Sequence, residues 1–218
     1  MNLQDLSQSL PFDLPGLAYR HARFDPSAAP DGTLPLPPAL QTAIPRRQTE
    51  YLAGRACAAF ALGGAGSPVL TVDINPDRSP VWPAGFVGSI SHAGTEVCAV
   101  AANKAQYSLL GLDLERLMPD AQAVEIADII LTREEARLRP ATMTHAQFLT
   151  LVFSAKESLY KAIYPKLQRI LDFHEVTLTA VSPQAVDLVL NTPPPNLPAR
   201  YRAHAHLAAD HWLTLVAV

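Results

Sequence analysis

The sequence predicts an α+β protein, in which helices and strands are interleaved without the regular alternation of a doubly wound parallel sheet. Two long segments have the residue spacing of helices, and nine short apolar segments between turn signals are typical of strands. Neither the Gly-x-Gly-x-x-Gly fingerprint of dinucleotide-binding folds nor a P-loop occurs, so those two nucleotide-binding architectures are not indicated.

The first long helix is predicted over residues 45–62. Pro45 suits its first turn, where the missing N–H would be unpaired anyway, and Gly63 and Gly64 end the pattern. The second long helix is predicted over residues 144–164. It is expected to stop at Pro165, because proline cannot donate to a helical carbonyl.

Shorter helices are predicted at 121–130 and 132–139, and the second has the capping-box pattern of Thr132 followed by Glu135. The remaining regular segments are predicted strands. They cover residues 16–24, 69–73, 86–91, 96–102, 108–115, 174–180, 185–190, 200–207 and 211–217.

The composition excludes several classes of protein. Apolar residues make up 49% of the chain and charged residues 17%, which is enough to build a core and argues against general disorder. The formal net charge of −3 gives no basic field for a nucleic acid, so an anionic ligand must be held by a few placed cations.

Nothing in the sequence indicates secretion or a membrane span. The first residues have no basic start followed by an apolar run, and no uncharged apolar stretch approaches the ~18 residues that a membrane helix needs. Cys57 and Cys98 are far apart and belong to no Cys-x-x-Cys pair, which favours small core residues over a zinc site and leaves a disulfide open. The expected location is the cytoplasm.

The segment 110–115 alternates between leucine and other residues. In a strand, Leu110, Leu112 and Leu114 share the face that goes to the core, and Asp113 and Glu115 share the other face about 7 Å apart. Two such carboxylates repel unless a cation lies between them, and magnesium prefers oxygen ligands. The alternative is an ordinary half-buried strand whose polar face meets water.

A second group of charged residues lies on the second long helix. Phe153, Glu157 and Lys161 are spaced by four residues and form one stripe, with Lys156 about 100° round from Glu157. A surface Glu–Lys pair would explain the spacing without any chemistry. The functional interpretation is that Glu157 adds a third carboxylate to Asp113 and Glu115.

Two further groups are candidates for phosphate binding. Ser91 and His92 end the strand 86–91, where a hydroxyl and an imidazole can donate to phosphate oxygens, although a histidine at a strand end is often structural. Arg47 and Arg55 lie on the first long helix about 12 Å apart, with Arg78 in a proline-rich loop. The alternative for each arginine is a solvated side chain.

Together these motifs resemble the 4′-phosphopantetheinyl transferase family. Gly111-Leu112-Asp113-Leu114-Glu115 is similar to its first signature, and Phe153-Ser154-Ala155-Lys156-Glu157 through Lys161 to its second. Trp82-Pro83, then Gly88-Ser89-Ile90-Ser91-His92, and the helix from Arg46-Arg47 to Ala53-Gly54-Arg55 extend the resemblance to the monomeric, enterobactin synthetase component D type. Many members of the family have tryptophan at the position of Phe153. Phenylalanine is common there in the component D branch.

The resemblance implies a fold of two similar α/β halves related by a pseudo-twofold axis, with the ligand between them. A boundary near residue 110 then gives an N-terminal half, 1–110, which grips the phosphates of coenzyme A, and a C-terminal half, 111–218, with the metal and the catalytic helix. The implied reaction transfers 4′-phosphopantetheine from coenzyme A to a serine of an acyl or peptidyl carrier protein. Siderophore or other secondary metabolism is the implied setting, and the protein is expected to be a monomer.

The resemblance also implies roles for individual residues. Asp113, Glu115 and Glu157 would hold Mg²⁺, or Mn²⁺, with the pyrophosphate of coenzyme A; Glu157 would be the base, with Lys161 assisting the leaving phosphate. The implied coenzyme A contacts are Arg47, Arg55, Arg78, Ser91, His92, Lys156 and Lys161.

A surface for the carrier protein is also predicted. Residues 116–140 combine apolar side chains with four arginines that could meet an acidic carrier, although an ordinary core helix is an equal alternative. The competing functions are another magnesium-dependent phosphoryl or nucleotidyl transferase and a non-catalytic coenzyme A-binding protein.

Overall fold

Two long helices lie on two separate antiparallel sheets in the computed structural model of this chain, which describes residues 3–28 and 35–218. The chain divides into two compact units, residues 1–108 and residues 109–218, at a point two residues before the expected boundary. Helices and strands are mixed within each unit, and the predicted α+β class is confirmed.

The described residues of the first unit, 3–28 and 35–108, form six strands and two helices. The strands are β1 (Leu3–Ser7), β2 (Ala18–Phe24), β3 (Asp73–Ile74), β4 (Pro80–Val81), β5 (Phe86–Ala93) and β6 (Glu96–Asn103), and the helices are α1 (Pro38–Gln41) and α2 (Pro45–Gly64). Four strands form an antiparallel sheet in the order β1-β2-β6-β5, and β3 pairs with β4 in a two-stranded ladder.

Helix α2 covers one face of the four-stranded sheet. Its buried side is made of small residues, among them Ala53, Cys57, Ala58 and Ala61, all fully buried. Small side chains let a helix approach a sheet closely, and they pack here on β2, β5 and β6. The core of this unit therefore lies between α2 and the sheet.

The second unit contains five strands, three α-helices and one short 3₁₀ helix. In chain order they are β7 (Leu110–Arg116), α3 (Asp120–Ile130), α4 (Arg133–Ala136), α5 (His145–Leu167), the 3₁₀ helix Phe173–Glu175, β8 (Val176–Ser182), β9 (Ala185–Leu190), β10 (Arg200–Ala208) and β11 (His211–Ala217). The strands form one antiparallel sheet in the order β7-β11-β10-β9-β8, with α5 packed on it and α3 packed against α5.

Helix α5 is longer than predicted. It was expected to stop before Pro165, but it continues to Leu167 with Pro165 inside its last turn. A proline this close to the end removes a single helical hydrogen bond, so its cost is limited. Gln168 then ends the helix with a left-handed φ of 51°.

One predicted strand is shorter than expected, and one observed strand was not predicted. The segment 69–73 is extended only at its end, where Asp73–Ile74 pairs with Pro80–Val81, because the tight turn between them leaves room for a two-residue ladder. Strand β1 was missed because Leu3–Ser7 is an edge strand with mostly exposed polar residues, which lacks the alternation of a half-buried strand.

Among residues 3–28 and 35–218, none of the helices combines the length and the apolar character needed to cross a lipid bilayer.

Candidate active site

Strand β7 supplies two of the predicted carboxylates and is buried on both faces. Leu110, Leu112 and Leu114 are 2% exposed or less, in agreement with the prediction that they face the core. Asp113, on the opposite face, is also buried, whereas Glu115 is partly exposed. The alternative of an ordinary strand with its polar face in water therefore does not describe Asp113.

The face of β7 that carries Asp113 is covered by helix α5. A Cβ atom at Gly111 would lie 1.9 Å from the carbonyl oxygen of Ser158 and 2.5 Å from the nitrogen of Ala162. Only a glycine permits this approach of helix backbone to strand backbone. The contact brings the charged stripe of α5 next to the carboxylates of β7.

Lys161 is the clearest link between the two signatures. Its Nζ donates to Oδ1 of Asp113 at 2.6 Å, across 48 residues of sequence. The side chain of Lys161 is 28% exposed and that of Asp113 is 6% exposed, so the pair lies at the edge of the core. A charge-assisted bond this short is expected to hold the lysine in a defined orientation.

The carboxylates of Asp113, Glu115 and Glu157 influence one another electrostatically. Burial raises the pKa of Glu115 to about 7, with Asp113 and Glu157 acting in the same direction and Lys161 opposing them. Burial also raises the pKa of Glu157, where Lys161 opposes the shift and Asp113 adds to it. The three carboxylates therefore form one acidic cluster, which one lysine neutralises in part.

Within the described residues, no group of three or more histidine, cysteine, aspartate or glutamate side chains is arranged to enclose a metal ion. The predicted ligands Asp113, Glu115 and Glu157 therefore share a neighbourhood without forming a ready-made cage.

Lys156 lies on the same helix but in different surroundings. Its Nζ donates to the carbonyl oxygens of Ile130 and Phe173 at 2.8 and 3.0 Å and to Oε1 of Glu135 at 3.1 Å. An ammonium group has three protons, and these acceptors can take all of them. The geometry thus gives the charge of Lys156 a structural role, and its predicted contact with coenzyme A stays a prediction.

Lys156 also borders a cavity. With Glu157, Tyr160 and Phe173, it lines a space of about 210 Å³. Glu157 thus connects this cavity with the acidic cluster.

Ser154 of the second signature is likewise structural. Its Oγ is 2.9 Å from Oγ1 of Thr214, whose hydroxyl also donates to the carbonyl oxygen of Ser154 at 2.8 Å. Thr214 lies on β11 directly opposite Asp113 in the sheet. This pair of buried contacts fastens α5 to the sheet beside the acidic cluster.

The predicted cations of the first unit line one cavity of about 410 Å³. Arg47 and Arg55 reach it from α2, Arg78 from the turn between β3 and β4, and His92 from β5. Four side chains from three separate segments therefore converge there. Ser91, by contrast, is 4% exposed and is not among the residues that line this cavity.

Two aromatic side chains of the first unit, Tyr51 and Trp82, make close contacts. The guanidinium of Arg55 lies over the ring of Tyr51, 4.5 Å from its centre, and donates to the carbonyl oxygen of Asp73 at 3.3 Å. Trp82 packs so closely on β5 that a Cβ at Gly88 would lie 2.5 Å from its ring. Arg55 is thereby held beside the cavity, and the absence of a side chain at Gly88 gives the ring of Trp82 its place on β5.

Sequence reasoning missed two residues. Glu50 lines the cavity of the first unit between Arg47 and His92, and its only sequence signal was a position three residues after Arg47. Glu135 was recognised as part of a capping box, which is present with Thr132, but its pairing with Lys156 depends on a contact across 21 residues.

Comparison with known proteins agrees with both signatures. Residues 36–102 match the 4′-phosphopantetheinyl transferase N-terminal domain family, and residues 109–216 match the 4′-phosphopantetheinyl transferase superfamily. Enterobactin synthase component D of Escherichia coli K12 is 39% identical over 158 residues, which cover 71% of this chain and 73% of that protein.

Two other relatives carry the transferase name. The 4′-phosphopantetheinyl transferase PptT of Mycobacterium tuberculosis is 31% identical over 169 residues, 75% of this chain and 71% of its own length. The corresponding transferase Npt of Nocardia iowensis is 31% identical over 137 residues, 62% of this chain and 60% of its own length. With both units matched and both signatures in place, the chain belongs to the 4′-phosphopantetheinyl transferase superfamily.

Proposed function

We propose that this protein transfers the 4′-phosphopantetheine group of coenzyme A to a serine of an apo carrier protein, using Asp113, Glu115, Glu157 and Lys161. The observation that carries the proposal is the bond from Lys161 to Asp113 beside the other two carboxylates. That arrangement unites both family signatures in one cluster of charged groups.

A divalent cation fits the chemistry of this cluster. Three carboxylates and one lysine leave negative charge in a half-buried place. Burial raises the pKa values of Glu115 and Glu157, and the neighbouring Asp113 raises them further. Magnesium is usually held by one or two carboxylates together with phosphates and water, so a closed protein cage is not required. Asp113, Glu115 and Glu157 would hold Mg²⁺, or Mn²⁺, which would neutralise charge that develops on the pyrophosphate.

The cations of the first unit would bind the nucleotide end of coenzyme A. The cavity lined by Arg47, Arg55, Arg78 and His92 has the charge that phosphates need, in a protein whose net charge is −3. Ser91 directly precedes His92 on β5. Its contact with a phosphate of coenzyme A stays a prediction.

The reaction forms one bond and breaks one bond. The hydroxyl oxygen of the carrier serine attacks the β-phosphorus of coenzyme A, and the bond from that phosphorus to the bridging oxygen breaks. Adenosine 3′,5′-bisphosphate leaves with the electron pair, and the phosphopantetheine remains on the serine.

Glu157 and Lys161 would move and stabilise charge during this step. The raised pKa of Glu157 suits a general base for the serine proton, directly or through a water molecule. Lys161, held by Asp113, would stabilise the leaving oxygen.

The carrier protein would dock on the segment 116–140. The names of similar proteins bear on which class of carrier this is. Val124 and Ile129 of α3 are 70% and 60% exposed, which supports an apolar contact, whereas Met118, Ile130 and Leu131 are buried and belong to the core. The name enterobactin synthase component D in similar proteins supports a peptidyl carrier of siderophore assembly.

We further propose that the enzyme works as a monomer in the cytoplasm. The support is its resemblance to the monomeric branch and the state of Cys57 and Cys98, which are buried and not joined by a disulfide. Cysteines that form no disulfide suit a reducing compartment.

One assay tests the function. The protein is mixed with coenzyme A, magnesium and an apo peptidyl carrier, and the carrier is weighed by mass spectrometry. A gain of one phosphopantetheine is expected. Bound coenzyme A with an unchanged carrier would instead support a non-catalytic binding protein, and no binding of coenzyme A would support a different transferase.

We predict that Glu157→Gln lowers the transfer rate by about 10²–10⁴-fold, because the amide cannot accept the serine proton. The matched control is Asp187→Asn, the same carboxylate-to-amide change on β9, where Asp187 pairs with Arg202 at 2.7 Å. The control is expected to keep wild-type turnover. Both variants should unfold at temperatures near that of the wild type, and normal turnover by Glu157→Gln would refute its role.

A further inference from the structure

We propose that Glu50 is a positioning residue of the nucleotide site, which holds Arg47 and His92 in the orientation that receives the phosphates of coenzyme A. This inference rests on the proposed function. It adds a carboxylate to a site that sequence reasoning built from arginines, a histidine and a serine.

Glu50 links two segments of the first unit. Its carboxylate oxygen Oε1 accepts a hydrogen bond from Nη1 of Arg47, one turn earlier on α2, and lies 3.1 Å from Nε2 of His92 on β5. One oxygen thus serves a helix residue and a strand residue. Within the part of the chain that the structure describes, Glu50 is the one acidic side chain that lines this cavity.

The three side chains form two layers. The side chain of Glu50 is 12% exposed, whereas those of Arg47 and His92 are 44% and 43% exposed. The carboxylate therefore lies deeper than the guanidinium of Arg47 and the imidazole of His92, both of which line the cavity. A phosphate that enters the cavity would meet Arg47 and His92 before it meets Glu50.

This layering decides between two effects of opposite sign. A carboxylate at the surface of an anion site would repel the ligand and weaken binding. A carboxylate beneath the cations acts mainly by fixing them, since a free arginine side chain loses much rotamer freedom when it binds a phosphate. The geometry favours the second effect, so removal of Glu50 should weaken binding.

The test measures binding of adenosine 3′,5′-bisphosphate by calorimetry and KM for coenzyme A in the carrier assay. Glu50→Ala is expected to raise both the Kd of the bisphosphate and the KM about tenfold, with kcat within about twofold of wild type, because a positioning contact in the ground state changes binding and not the chemical step. Glu50→Gln keeps one acceptor and is expected to raise both constants about threefold.

Two further variants separate positioning from general damage. Glu96 also accepts from a histidine and an arginine, His21 at 2.9 Å and Arg23 at 2.7 Å, but it does not line the cavity. Glu96→Ala is expected to leave Kd and KM unchanged. In an Arg47→Ala background, the effect of Glu50→Ala should shrink to about threefold or less, because residues that act through each other are not additive.

The outcomes are distinct. Binding by Glu50→Gln as tight as wild type, or tighter, would overturn the positioning role, even if Glu50→Ala failed to fold. An undiminished effect in the Arg47→Ala background would also overturn it. A wild-type protein that binds neither coenzyme A nor the bisphosphate would refute the proposed function itself.

Discussion

Lys156 and Lys161 lie five residues apart on one helix, and their ammonium groups have opposite surroundings. Lys161 reaches Asp113 at the edge of the core, whereas Lys156 is 2% exposed and is held by Ile130, Glu135 and Phe173. Burial lowers the pKa of Lys156, and the Glu135 carboxylate opposes that shift. Lys161 belongs to the acidic cluster, and Lys156 joins α5 to its neighbouring segments.

This difference predicts the effect of Lys156→Met. Glu135 would remain buried without its cationic partner, and the loss of one member of a buried pair costs about 3–5 kcal/mol. The free energy of unfolding of the variant, measured in urea, should fall by about that amount. Lys166→Met, at an exposed position of the same helix, should stay within about 0.5 kcal/mol of the wild type. A variant at Lys156 as stable as wild type would contradict the structural role.

Glu115 makes stability depend on pH. Because its folded pKa of about 7 lies above the ordinary value of 4.5, the folded state binds its proton more tightly than the unfolded state. The contribution of Glu115 to stability is therefore full below about pH 4.5 and is lost as the pH rises through 7.

We accordingly predict that Glu115→Gln has a higher Tm than the wild type at pH 8 without divalent metal, because the amide carries no buried charge. The difference should shrink as the pH falls towards 5. Calorimetry at several pH values in the presence of a chelator measures it. An equal Tm difference at pH 5 and pH 8 would show that Glu115 does not titrate as described.

At the scale of elements, the contact between β7 and α5 builds the acidic cluster. At Gly111, which has no side chain, the backbone of α5 at Ser158 and Ala162 approaches the strand closely. The separation of strand and helix at this point therefore determines whether Lys161 reaches Asp113.

Gly111→Ala should disturb both stability and activity. The added methyl group would lie 1.9 Å from a backbone oxygen, so α5 must shift, and overpacking of this kind costs about 1–3 kcal/mol or more. Thermal unfolding and the carrier assay should both show a loss. The control is Gly63→Ala near the end of α2, where the nearest atom would be 3.7 Å away and the change should be neutral or slightly stabilising. Equal stability of the two variants would refute the tight contact.

At the scale of the whole molecule, each unit has its own core and its own charged group. The first unit gathers Arg47, Arg55, Arg78 and His92 around one cavity, and the second gathers three carboxylates and Lys161 on β7 and α5. The net charge of −3 is the sum over all charged side chains of the chain and does not reveal these two groups. The net charge alone could not show that these cations gather around one cavity and that the three carboxylates gather on β7 and α5.

Several features followed from local rules in the sequence. The α+β class, both long helices, the start of α2 at Pro45 and the capping box of Thr132 depend on residues a few positions apart. The shared face of Asp113 and Glu115 follows from the period of two in a strand. The candidate metal ligands and the candidate phosphate contacts were named from spacing together with the family resemblance.

Other features were decided by contacts between residues far apart in the chain. Lys161 faces Asp113 and Lys156 faces Glu135. Which lysine of α5 meets which carboxylate depends on how the helix is rotated about its axis when it packs. The position of Glu50 beneath Arg47 and His92 depends on the approach of α2 to β5, and the raised pKa of Glu115 depends on burial. By itself the sequence determined the class of fold and the residues that carry the charge. Only the tertiary structure decided which charges meet, because the periods of helices and strands specify a face and not the partner that covers it.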